Sequence, residues 1–180
     1  VEGVACGLLK QCTAGQCKQP AVGSEWSEPL RLDDEADGLG DAEHVSLVAS
    51  PTEALGVLVR GGRLQARIVG ADGKPGSLEV ISGQERVQIA SAAAIGDDFV
   101  VVYVSQEQTP GSSSAVKLRS VRYTKASGWG QPSEVGAVHE PGARVFSSKK
   151  VDPKVVDDGT GVAVVLWNRF DRKELSPSSS

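Results

Sequence analysis

Apolar and polar residues alternate along much of this chain. Val45-Leu47-Ala49, Leu55-Val57-Val59 and Leu64-Ala66-Ile68 each place an apolar side chain at every second position, the period of strands with one buried face. Two other runs, FVVVYV (99–104) and VAVVLW (162–167), are apolar throughout. Runs this short, rich in β-branched residues and preceded by GDD or DDGTG, predict strands covered on both faces. No segment combines a helical period with capping residues, and the 21 glycines, with the clusters ADGKPG, IGDD and DDGTG, supply turns. The pattern predicts an all-β chain.

The pattern also recurs. SEWSEPLRL (24–32) and SGWGQPSEV (127–135) share S-x-W-x-x-P-x-x-[LV], and SLVASPTEALGVLVR (46–60) lies over KVVDDGTGVAVVLWN (154–168). Between them AAAIGDDFVVVYVS (92–105) repeats the theme of small or apolar residues, a turn and a strongly apolar strand. Copies roughly 45 to 65 residues apart have the spacing of units that each form one small antiparallel sheet. This unit, with its GW-x-x-P exit and DDGTG-VAVVLW strand, resembles the propeller repeats of large secreted bacterial surface proteins, similar to sialidase-type blades, over residues 23–170. The resemblance implies antiparallel sheet repeats in a partial or oligomer-completed β-propeller, with a β-sandwich as the alternative. It also implies that Trp26, Trp129 and Trp167 pack between blades rather than serve as ligand platforms. A propeller needs at least about four blades, and this chain offers two units and the start of a third. That count leads to the expectation of a longer parent chain or a homo-oligomer. The domain reading is a cysteine-containing segment at 1–22, a β-repeat domain at 23–172 and a polar tail at 173–180.

Composition narrows the function classes. A chain of 180 residues, 23% charged and 39% hydrophobic, suits one globular core. The net charge of −4 gives a nucleic-acid surface little support. No run of about 18 apolar residues offers a transmembrane segment. Cys6, Cys12 and Cys17 all lie in CGLLKQCTAGQC at the front of the chain. Such clustering reads as a disulfide-tied segment in a secreted or extracellular surface protein. Three is an odd number, so one thiol is free, joined to another chain or lacking its partner. Zinc is the weaker reading, because C-x5-C-x4-C has no close pair and no neighbouring His.

The sharpest chemical candidate is DDEADGLGD (33–41). Calcium takes six to eight oxygens, and alternating acidic positions can point them inward. Asp33, Glu35 and Asp37 would supply carboxylates, Leu39 its backbone carbonyl and Asp41 a direct or water-mediated contact, with Gly38 at the sharp turn. The stretch resembles the D-x-D-x-D-G-x-x-D loops of bacterial surface proteins, with Glu at the third position and His44, not Glu, at the twelfth. The competing reading is a solvated acidic turn. Asp97-Asp98 and Asp157-Asp158-Gly159 read as strand turns.

Nothing in the sequence has a nucleophile signature. GSSSA (111–115) is not G-x-S-x-G, and the histidines are His44 and His139 alone. The sialidase-type resemblance directs attention to a tyrosine paired with a carboxylate. The only tyrosines, Tyr103 and Tyr123, fall in expected strands, where burial or cross-strand pairing is the simpler role. The expectation is a non-catalytic extracellular module that binds a glycan or protein partner. A glycosidase-like fragment and a self-assembling structural subunit are the alternatives.

Overall fold

A computed structural model describes residues 11–13, 16–18, 32, 42–107, 115–138 and 151–167. The chain divides into two units, Val1–Leu30 and Arg31–Ser180. In the first unit, β1 (Gln11–Thr13) and β2 (Gln16–Lys18) pair antiparallel as a hairpin. The second unit holds all the remaining strands. Every ladder is antiparallel and the described residues contain no helix, so the all-β reading stands. No closed ring or barrel forms among the described residues.

The second unit opens with a four-stranded meander of β3 (His44–Ala49), β4 (Glu53–Arg60), β5 (Arg63–Gly70) and β6 (Pro75–Val80). A second meander follows: β7 (Arg86–Ile95), β8 (Asp98–Glu107), β9 (Ala115–Thr124) and the short β10 (Gly128–Trp129), with β11 (Ser133–Ala137) also on β9. A hairpin of β12 (Lys154–Asp157) and β13 (Ala163–Leu166) ends the described chain. The three segments aligned by sequence all fold as hairpins: β3–β4, β7–β8 and β12–β13.

Turn chemistry fixes the registers. Arg60 pairs with Arg63 around Gly61 and Gly62, whose φ angles are 53° and 74°. Two successive left-handed residues make the turn whose twist matches that of the flanking strands, and glycine enters that region without steric cost. At the β12–β13 turn, Asp158 Oδ1 accepts from the Thr160 and Val162 amides at 2.8 and 3.3 Å, and from the Thr160 hydroxyl at 2.8 Å. Those donors hold the Asp158 carboxyl below its ordinary range. The acidic residues here organise a turn, as expected from sequence.

The sheets stack in layers. Leu55, Val57, Val59, Leu64 and Ala66 of the first sheet pack against Val87, Ala90, Phe99, Val101, Tyr103 and Val121 of the second. The opposite face of the second sheet is covered by the last hairpin and its approach, through Val102 against Val155 and Val104 with Val151. β8 is therefore enclosed from both sides, as its apolar run predicts.

Three sequence expectations are corrected in detail. Val45 and Leu47 of β3 are 49% and 68% exposed, while Val48 packs on the core. Their phase is inverted because the register sets Leu47 opposite Gly56 and Val45 opposite Leu58, on the face away from the second sheet. In β13 Ala163 and Val165 pack inward, but Leu166 is 64% exposed, because no described sheet lies over the hairpin's outer face. Trp129 packs on the core beside Tyr123, with ring centroids 5.2 Å apart, whereas Trp167 is exposed, its indole over Gly136. Trp26 lies outside the described residues.

Candidate functional site

In a meander, alternate connections emerge at the same end of the sheet. The β4–β5 turn, the β6–β7 connection and the end of β8 thereby share one rim of the stack. A cavity of 420 Å³ opens there, lined by Gly61, Gly62, Arg63, Ser82, Gln84, Glu85, Arg86 and Gln106 among others. A second, of 310 Å³, includes Glu43, Gln88 and Val151 in its wall and shares Arg86 and Gln106 with the first. Both lie in the size range of small-molecule sites. Arg86 and Gln106 line both.

Backbone bonds hold the cleft in place. The Val87 amide donates to the Gly62 carbonyl at 2.7 Å, the Ile81 amide to the Leu64 carbonyl at 2.9 Å, and the Leu64 amide to Ser82 Oγ at 3.2 Å. These bonds lace the β6–β7 connection onto the β4–β5 turn. Gly62 is needed for a second reason besides its φ: a Cβ there would come within 2.8 Å of Arg86 Cγ. The aliphatic stem of Arg86 thus lies over a bare backbone, and its guanidinium is carried along the rim. Gln88 Nε2 donates to Gln106 Oε1 at 3.4 Å. Arg63 and Arg86 form no ion pair among the described residues.

Glu85 has a different role. Its side chain is 8% exposed and accepts a hydrogen bond from the Tyr103 hydroxyl at 2.9 Å, with Arg119 Nε at 4.0 Å. Burial pushes the Glu85 carboxyl up, but backbone amides at Glu85 and Gly83, the Tyr103 hydroxyl and the Arg119 charge together hold it below its ordinary value. It stays ionised. Tyr103 is fully buried, and burial together with its bond to Glu85 pushes the phenol well above its ordinary range. The phenol is held protonated and out of solvent, and its hydroxyl is committed to Glu85.

The charges continue along β8 and β9. Arg119 donates to Glu107, and Lys117 bridges Glu107 and Glu134 at 3.2 Å each. Hydrogen bonds from Lys117 and Arg119 hold Glu107 low, and bonds to Glu134 and Glu107 raise Lys117. On the far side of the second sheet's edge Arg122 reaches Asp98 at 2.6 Å. These cations are already committed to carboxylates, unlike Arg63 and Arg86.

The sequence candidates fare unevenly. The loop candidates Asp33, Glu35, Asp37, Leu39 and Asp41 lie outside the described residues, as do Cys6, His139 and residues 111–114 of GSSSA. Cys12 and Cys17 stand at opposed register positions of β1 and β2. Among the described residues no group of three or more His, Cys, Asp or Glu gathers as a metal site, and no helix is long and apolar enough to cross a membrane. The cleft arginines and glutamines were missed from sequence. The signal was present in RGGR (60–63) and SGQER (82–86), two polar connections that a meander places at one end. Comparison with family models, curated proteins and solved structures finds no match to this chain.

Proposed function

We propose that this chain is a non-catalytic extracellular binding module, and that its ligand is an acidic glycan held in the cleft shared by Arg86 and Gln106. One observation carries the reading: two arginines without ion-pair partners among the described residues line a preformed polar cleft, beside side-chain amides. A guanidinium offers a planar fork of donors that matches a carboxylate or sulfate, and glutamine amides suit hydroxyl groups. Two carboxylates line the cavities among the described residues, Glu85 in the larger and Glu43 in the second, and this reading gives neither a catalytic role.

The test is binding of the purified chain to a panel of immobilised acidic and neutral oligosaccharides, with Arg86→Gln alongside. The expected result is retention of acidic members, weakened by salt and reduced about 10- to 100-fold in the variant, the worth of a charged hydrogen bond. Binding that ignores Arg86→Gln, or hydrolysis of any panel member, overturns the reading.

A second reading, self-association, has its own support. The outer face of the β12–β13 hairpin exposes Val156, Val164 and Leu166 at 51%, 38% and 64%. Apolar area of this kind on a strand pair is a docking surface for another sheet. A second copy is the occupant this reading names, and a strict monomer in sedimentation at high concentration counts against it.

A further inference from the structure

The β1–β2 hairpin places two of the three cysteines directly opposite one another: Gln11 pairs with Lys18, Cys12 with Cys17, and Thr13 with Gln16. Thr13 and Gln16 close the ladder around a two-residue connection, Ala14 and Gly15. In such a hairpin the closing pair exchanges both backbone hydrogen bonds, so the next pair out is a non-hydrogen-bonded position. Residues there have Cα atoms about 4.5 Å apart and share one face of the ladder. Disulfides span Cα separations of roughly 4.4–6.8 Å. The register thus meets the covalent requirement without backbone movement.

We propose that Cys12 and Cys17 form a cross-strand disulfide that locks the β1–β2 hairpin, leaving Cys6 as the one remaining thiol. The pairing resolves the odd cysteine count by position. The ladder already holds Cys12 and Cys17 in register, so the effective concentration of one thiol at the other is high against that of an external thiol. The bond forms by exchange with a small-molecule disulfide such as oxidised glutathione. One thiolate attacks it and releases a glutathione thiolate, and the second then attacks the mixed disulfide and releases another. The two cysteine thiols lose two protons and two electrons, and the oxidant is reduced to two thiols.

The sequence makes the test direct. Trypsin cutting after Lys10 and Lys18 releases Gln11–Lys18 with both cysteines, and Cys6 leaves on the separate piece Val1–Lys10. The full chain is equilibrated in a glutathione redox buffer at an oxidising poise, alkylated without reduction, digested and weighed. The expected Gln11–Lys18 peptide carries no alkyl group and is two hydrogens lighter than its dithiol form, while Val1–Lys10 is alkylated or joined to glutathione or to its own copy. Cys6→Ser should leave the Gln11–Lys18 mass unchanged, which keeps the result readable if Cys6 forms mixed products. Gln11–Lys18 alkylated at both cysteines, or joined to Val1–Lys10, overturns the pairing.

Discussion

Two six-residue runs of nearly the same character end in different surroundings. FVVVYV lies in β8, with Phe99, Val101, Val102, Tyr103 and Val104 all at 0% exposure. VAVVLW lies in and around β13, with Val162, Leu166 and Trp167 at 56%, 64% and 38%. Composition does not separate them. What separates them is the number of sheets within reach: β8 has the first meander on one face and the final hairpin on the other, and among the described residues β13 has only the second meander beneath it. An apolar run reports the capacity to be covered, and the neighbouring layers decide whether the capacity is used.

The comparison breaks most visibly at Phe99. Its ring is fully buried and meets Tyr123 at a centroid distance of 6.1 Å, with Tyr123 in turn against Trp129. Phe99→Ala removes a large side chain from between packed sheets and leaves a cavity that the strands cannot close. The expected loss is about 3–5 kcal/mol in urea unfolding. A loss under about 1 kcal/mol would mean that the two meanders are not packed face to face at this point.

Tyr103→Phe probes the polar end of the same enclosed strand. The phenyl ring keeps its packing, but Glu85 loses a donor while its carboxylate remains nearly buried, at 8% exposure. An expected cost of about 1–3 kcal/mol at neutral pH follows from leaving that acceptor short. The sign with pH is fixed by the shift. Glu85 is held below its ordinary value of 4.5 in the folded chain, so its contribution is present above that value and is lost as pH falls through the lower, folded one. The gap between wild type and variant should therefore shrink in acid. Tyr103 is shifted upward from 10.0, so its own contribution is present below pH 10 and is lost as pH rises beyond it, a loss the variant lacks. Chemical denaturation at several pH values reads both effects, and a gap that widens in acid would refute the assignment.

How far the sequence carried the structure depends on the kind of signal. Strand identity in β4, β5 and β8 was legible because period and β-branching are local properties, and so was the turn at Asp157-Asp158-Gly159. The phase of β3 was not, since alternation is the same whichever face is buried. Register against Gly56 settled it, and Leu32 Cδ1 would lie 3.0 Å from a Cβ added there, so the outer face is itself covered at that point. The cleft was not legible either. Its arginines and glutamines come from connections and strand ends distant in the chain, and only the alternation of a meander brings them to one rim.

The smallest expected effect is the most informative about the hairpin. Leu166 sits opposite Lys154 at the open end of β12–β13 and is 64% exposed. If its outer face meets only water, Leu166→Ala deletes little buried area and should change stability by no more than about 0.5 kcal/mol, at every protein concentration. If copies of the chain stack a sheet over that face, the same leucine becomes a core residue of the assembly, and the cost should rise with concentration toward the roughly 2–5 kcal/mol of a buried Leu→Ala change. Thermal unfolding of wild type and variant across a hundredfold concentration range separates the two cases. A small, concentration-independent effect leaves β13 as a strand of the same kind as β8 that has only one neighbouring layer. A large, concentration-dependent one would erase the difference between the two runs and make the second copy the layer that β13 lacks.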